Sequence, residues 1–260
     1  MPPLRAEQIE SYKKDGCLSG IDVLVGTDVQ RIQGCFDELE SEIGHARCQA
    51  GLFDHHFKQP FIWEMATHPK IVDRVTEIIG DDVLLLSTHF FCKYGPDDKF
   101  VAWHQDLRYW GLEPPVEVTA WYAVDDSDRE NGCMQIIPST HIGGLLDHGK
   151  SEEPGNLLSI NQELIVTKQQ ETQAIDCILK AGQMSLHDGM VIHGSLPNRS
   201  NRRRCGMTIR YIPTSVTPTA PGPIGTKNKW RPILIHGKDP HGNFELAKPP
   251  FSFPHRKDII

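Results

Sequence analysis

Two textures meet at Gly80, and the second restricts the fold most. From Val83 onward the chain passes through short runs of β-formers: Val83–Tyr94, Lys99–His104, Val116–Val124, Cys133–Ile137, Thr172–Leu179, Gln183–His187, Met190–His193 and Cys205–Ile212. Turn signals divide them, including Gly95-Pro96-Asp97-Asp98, Asn131-Gly132, Ala181-Gly182, Asp188-Gly189 and Pro197-Asn198. Many short strands without alternating helices point to a sandwich or jelly roll, not a doubly wound sheet. No GxGxxG and no internal repeat contradicts this.

The first 80 residues read as helical. Leu4, Ile9 and Tyr12 mark a helix over 4–15, stopped by Gly16. Thr27 and Gln30 form a capping-box pattern. Behind it Val29, Ile32, Phe36, Leu39 and Ile43 make one apolar helix face up to Gly44. A third helix starts at Pro69 and ends at Gly80. The stretch 143–170 is polar and weakly patterned, as expected of an insertion or lid. The proline-rich tail, 214–260, is expected to wrap the surface. The whole reads as one domain: a helical part over 1–80, a β core over 81–213, and the tail.

A formal net charge of -7 argues against nucleic acid as the main partner, since phosphate binders carry a basic surplus. The 7 cysteines show no CxxC spacing and are odd in number, so reduced, buried thiols are expected in place of a disulfide scaffold. No apolar run approaches the roughly 20 residues that span a bilayer. The N-terminus lacks the apolar core of a signal peptide, and the protein reads as cytoplasmic.

Of the 13 histidines, His104 alone has an acid two positions later, in His104-Gln105-Asp106. On a strand, residues i and i+2 share a face, which would aim an imidazole and a carboxylate at one point. Two histidines and one carboxylate leave open positions on a six-coordinate ion, the arrangement of Fe(II) oxygenases. By itself the tripeptide fits an incidental pair at a strand end equally well. Met190-Val191-Ile192-His193-Gly194-Ser195 supplies an apolar strand ending in a further histidine. Arg204 follows His193 by 11 residues. Read as a hairpin loop, residues 196–201 would return Arg204 beside the His193 strand, where its guanidinium could grip a carboxylate with two parallel hydrogen bonds.

WHQDLRYWGLEP at 103–114, TAWYAV at 119–124, ENGCMQIIPSTH at 130–141 and the HGS…R run from His193 to Arg204 resemble the phytanoyl-CoA dioxygenase family of 2-oxoglutarate oxygenases. The resemblance covers roughly residues 65–215. It implies a double-stranded β-helix (jelly-roll, cupin-like) core within a mainly β fold with flanking helices. It further implies iron held by His104, Asp106 and His193, and 2-oxoglutarate held by Arg204 with Ser195 and Trp121. A co-substrate contact from the strand before His104 falls at His89, where the residue type differs from the family's. Halogenases related to the family replace the carboxylate by Gly or Ala, so Asp106 favours hydroxylation with O2.

Other residues carry two readings each. Arg210, six after Arg204, could meet an anionic group on the prime substrate or form an ion pair. Lys93 shares a strand face with His89 and Phe91 and could line the pocket or cap its rim. Tyr109, Trp103 and Trp110 could touch substrate or be core aromatics. His187 fits a strand-end turn, and His55-His56 diverge too much to chelate together. The expected substrate is a small polar molecule: an aminophosphonate, an amino acid derivative or a natural-product intermediate. The competing readings are a cupin-type metal hydrolase or isomerase, which Arg204 disfavours, and a non-catalytic ligand-binding jelly roll.

Overall fold

Apolar residues at three- and four-residue spacing build the helices α1 (Ala6–Asp15), α2 (Thr27–Ile43), α3 (His45–Ala50), α4 (Pro60–Ala66) and α5 (Pro69–Ile79). The computed structural model describes residues 3–224 and 226–255. Helix α2 buries Ile32, Phe36 and Leu39. Its N-cap is Gly26, not a capping box, because Thr27 is already helical. Helix α5 starts at Pro69, with the His68 side chain accepting from the Lys70 amide at 3.2 Å. Among the described residues no helix is long and apolar enough to cross a membrane.

Ten strands form the two main sheets: β1 (Cys17–Asp22), β2 (Val83–Lys93), β3 (Val101–His104), β4 (Val118–Ala123), β5 (Met134–Ile137), β6 (Ile175–Cys177), β7 (Gln183–Asp188), β8 (Ile192–Ser195), β9 (Arg204–Pro213) and β10 (Ile233–His236). The larger sheet runs β1-β7-β4-β9-β2-β10 and the smaller β3-β8-β5-β6, every neighbouring pair antiparallel. Trp121, Ala123, Met134, Ile136 and Val191 join the sheets in one apolar cluster. This is the jelly-roll, double-stranded β-helix core of cupin-like folds.

The larger sheet is covered on both faces, so β2, β4 and nearly all of β9 are buried throughout. Its outer face, with Leu85, Phe90, Tyr122, Met207 and Tyr211, packs on Ile32, Phe36, Ile62, Trp63 and Val72 from the helices. Phe36 is fully buried and its ring centroid lies 5.1 Å from that of Phe90. Phe36→Ala should destabilise by about 3–5 kcal/mol and lower the melting temperature by roughly 10 °C. A thermal melt shifted by less than about 3 °C would mean that α2 is not anchored through this ring.

One irregularity sets which side chains face inward. Arg210 pairs with Ser87 but Tyr211 pairs with Leu85, leaving Leu86 as a bulge. The extra residue resets the two-residue alternation. Below it Leu84 and Leu86 join Leu107, Trp110 and Ile212 in an apolar cluster. Above it His89, Phe91 and Lys93 turn toward the space between the sheets, opposite Thr208, Gly206 and Arg204.

Several expectations need correction. The first 80 residues are not all helical: β1 pairs along β7, where Leu18 and Ile21 meet Leu186 and Met184. Only Ile175–Cys177 of the expected strand 172–179 is extended, because the capping box of Thr167 and Gln170 starts a helical turn over Lys168–Thr172. Residues 196–203 are not a hairpin loop. They cross from β8 in the smaller sheet to β9 in the larger one, so His193 and Arg204 face each other across the interior. The tail supplies the edge strand β10, which buries Ile233 and Ile235.

Candidate active site

His104 closes β3, and Asp106 opens the single-turn helix α6 (Leu107–Trp110) with helical backbone angles (φ -59, ψ -40). The pair therefore does not occupy alternate positions of one strand; the strand-to-helix turn makes the two side chains converge. His193 lies directly opposite His104 in the β8–β3 ladder. The donor atoms of His104, Asp106 and His193 all fall within 4.8 Å of one another, and all three residues are buried.

The hydrogen bonds of this cluster suit a metal. His104 Nδ1 donates to the Ala102 carbonyl at 2.9 Å and His193 Nδ1 to the Val191 carbonyl at 3.0 Å. A carbonyl only accepts, so each Nδ1 carries the proton and each Nε2 presents a lone pair. Burial, then the neighbouring His104 and His187, pull the His193 pKa well below its ordinary value, which keeps the ring neutral. The buried Asp106 carboxylate accepts from Thr119 Oγ1 (3.1 Å) and from Arg210 through Nε (3.2 Å) and Nη2 (3.3 Å). Burial opposes its ionisation, but Arg210, His104 and His187 outweigh that and hold the carboxyl well below the usual range. Two bare imidazole nitrogens and an ionised carboxylate make a donor set for a divalent transition metal with positions to spare.

A cavity adjoins this cluster, bounded by His104, His193, Trp121, Met134, Arg204 and Thr208 among others. Arg204 is 2% exposed, and no carboxylate lies within ion-pair distance of it among the described residues. Its Nε has no partner, and Nη2 reaches only Ser195 Oγ at 3.3 Å. Its guanidinium carbon stands 5.4 Å from the Trp121 ring. Burial lowers the Arg204 pKa, as expected for a charge without a counter-ion. Lys93, fully buried, donates to Ser195 Oγ at 2.6 Å and to the Leu196 carbonyl. Burial first, then Arg204, pull its pKa well down. Arg204, Ser195, Trp121 and Lys93 thus meet at one place.

His89 is not among them. It borders a second cavity, together with Phe53, Phe91, Asp106, Tyr109, Trp110 and Arg210, closed on one side by Leu158–Gln162 of the 143–170 stretch. The residue of β2 that reaches Ser195 and Arg204 is Lys93, four positions on and on the same face. Tyr109 and Trp110 border this second cavity, whereas Trp103 packs beside Ile137, Leu164 and Ile192. Burial takes the His89 pKa down to about 3, against a supporting bond to Ala50, so the ring is neutral.

Sequence reasoning passed over three members of this centre. His187 is no exposed turn: it is buried, its ring centroid is 4.6 Å from that of His193, and its Nε2 is 3.8 Å from Asp106. Thr119 shares a strand face with Trp121, a signal the alternation carried. Glu117, two residues earlier, lies 2.6 Å from Thr119 Oγ1 and 3.9 Å from Arg210 Nε. Burial and the Asp106 charge push its pKa up to about 8.

Known proteins agree with this architecture. The family described as Phytanoyl-CoA dioxygenase (PhyH) matches residues 28–206. A "Probable phytanoyl-CoA dioxygenase" of Caenorhabditis elegans is 28% identical over 58% of this chain and 51% of its own, so the chain spans about half the length of that relative. An "L-proline trans-4-hydroxylase" of Streptomyces griseoviridis is 25% identical, with 81% of this chain and 87% of that one covered. The solved structure of the apo form of the "non-heme monooxygenase" ThoJ superposes with a TM-score of 0.78 at 27% identity, over 94% of this chain and 89% of the other. Because the match over residues 28–206 runs through the whole metal-donor cluster and Arg204, the chain belongs to the phytanoyl-CoA dioxygenase family.

Proposed function

We propose that this protein is an Fe(II)- and 2-oxoglutarate-dependent dioxygenase that hydroxylates a C–H bond of a small molecule. The observation that carries the reading is the buried guanidinium of Arg204, unpaired by any carboxylate, in the cavity that His104 and His193 also line. A cupin-type hydrolase or isomerase that does not use 2-oxoglutarate gives no account of a carboxylate receptor there. The hydroxylase and monooxygenase names of two relatives support the same reading.

His104 Nε2, His193 Nε2 and Asp106 would hold the iron. Bound there, Fe(II) with 2-oxoglutarate and O2 supplies the oxidising chemistry that converts C–H to C–OH, with succinate and CO2 as co-products. Arg204 and Lys93 bind the far carboxylate of 2-oxoglutarate, with Ser195 Oγ fixed between them. Trp121 walls the co-substrate on the side of Arg204. Thr119 and Arg210 fix the Asp106 rotamer by three hydrogen bonds. The cavity walled by Phe53, Phe91, Tyr109 and Trp110 receives the prime substrate, and Leu158–Gln162 act as its lid. The sequence suggests an aminophosphonate, an amino acid derivative or a natural-product intermediate, which differ in charge.

The direct test is anaerobic reconstitution with Fe(II) and 2-oxoglutarate, followed by O2 and measurement of succinate. Slow succinate formation without substrate is expected; none at confirmed iron occupancy would sink the reading. A second test uses Gly206, where a Cβ would overlap the Trp121 indole. Gly206→Ala should push that ring into the co-substrate cavity, cost about 1–3 kcal/mol of stability and weaken 2-oxoglutarate binding roughly tenfold. Unchanged affinity in a 2-oxoglutarate titration would remove Trp121 from the co-substrate site.

A further inference from the structure

The cavity on the Tyr109 side has its own chemistry, which points to a class of prime substrate. We propose that the substrate is a small uncharged molecule that donates an N–H or O–H hydrogen bond to Gln162. The inference rests on the oxygenase reading above.

Charge comes first. The charged residues bordering this cavity are Asp106 and Arg210. They consume each other: Arg210 donates to both Asp106 oxygens, and its Nη1 goes to Thr208 Oγ1 at 2.9 Å. Glu117 also stands 3.9 Å from Arg210 Nε, so a second acid group lies beside that guanidinium. Arg204 shows what an anion receptor looks like in this protein: a buried guanidinium with an unspent Nε and no acid beside it. Nothing of that kind borders the Tyr109 cavity. A carboxylate or phosphonate entering it would find no spare cation, and an ammonium would find no spare carboxylate. Burying an unpaired charge there is strongly unfavourable.

Two buried polar atoms on its border have no partner: Gln162 Oε1, an acceptor, and Trp110 Nε1, a donor. Gln162 is 6% exposed, and its buried Oε1 has no hydrogen-bond partner. The backbone behind it is fixed, since the Gln162 carbonyl accepts from Asn156 Nδ2 at 3.1 Å and the residue pairs with Lys150. His89 donates from Nε2 to the Ala50 carbonyl at 2.9 Å, which leaves Nδ1 as a lone pair. Phe53 lies flat on this imidazole, centroids 3.7 Å apart and planes 17° apart, and stiffens that wall. Apart from the hydroxyls of Ser159 and Tyr109, the remaining lining is aromatic or aliphatic. Largely apolar walls, two acceptors, one indole donor and no free charge match a small neutral molecule bearing at least one donor. They do not match an aminophosphonate or a zwitterionic amino acid.

The test uses the protein loaded anaerobically with Fe(II) and 2-oxoglutarate. Binding is measured by calorimetry for three uncharged probes (δ-valerolactam, 2-pyridone and thymine) and three charged ones (L-proline, L-pipecolate and 2-aminoethylphosphonate). At least one uncharged probe should bind tenfold or more tightly than every charged one, and Gln162→Leu should weaken it about tenfold. Equal or tighter binding of any charged probe overturns the proposal. So does the failure of all three uncharged probes, or indifference of the best one to Gln162→Leu. Should that variant not fold, the comparison of probes on the unaltered protein decides, and Phe53→Ala replaces it as the second probe of the cavity. Failure of 2-oxoglutarate itself to bind the iron-loaded protein would instead count against the oxygenase reading.

Discussion

Asp106→Ala is expected to abolish succinate-coupled hydroxylation, with a loss on the order of 1000-fold or more, equivalent to at least ~4 kcal/mol of transition-state stabilisation. The variant removes one of three converging donors, so iron content should fall with activity. It also leaves Arg210 buried without its bidentate partner, and stripping one member from a buried pair costs about 3–5 kcal/mol. Glu117, 3.9 Å away, should absorb part of that cost by ionising more readily. A melting temperature lowered in Asp106→Ala and recovered in Asp106→Ala/Arg210→Met, with activity absent from both, would separate the two roles. Full activity in the single variant would refute the ligand assignment.

Arg204→Met should act in the opposite sense on stability. Among the described residues no acid pairs with this buried guanidinium, whose Nε has no partner. Replacing such a group by an apolar one of similar volume is neutral or stabilising in the free protein. Loss of a bidentate, charge-assisted contact should raise the KM for 2-oxoglutarate about 100-fold, or ~3 kcal/mol. The free variant is thus expected to melt at or above the parent temperature, and 2-oxoglutarate should stabilise it far less. An unchanged KM would show that the co-substrate carboxylate lies elsewhere. Lys93, which touches the same Ser195 hydroxyl, keeps the loss from being total.

Much of this centre is legible in the sequence because local chemistry writes it there. The His104-Gln105-Asp106 tripeptide, the small residues after His193 and the apolar alternation of β4 and β9 are all short-range signals. What escapes is information held by partners. Strand β1 carries only Leu18 and Ile21 as extended, inward-facing apolar residues, and becomes a strand because the edge of β7 is there to pair with. The separation of His193 and Arg204 looks the same for a hairpin as for a crossing between sheets; only the sheet order distinguishes them. His187 and Gln162 have no flanking pattern, and their burial follows from what folds over them. The exchange of His89 for Lys93 as the residue beside Arg204 depends on how far along its strand the co-substrate cavity sits, which spacing alone does not state.

The single extra residue at Leu86 divides β2 into two independent workpieces. The half before it helps seal the floor of the barrel with Ile212 and Trp110, and the half after it turns His89 and Phe91 to the cavities and Lys93 to Ser195. Since the phase of the pleat is reset between them, the furnishing can be exchanged side chain by side chain while the floor keeps its seal. A lineage built on this strand could change what it oxidises without relearning how to fold.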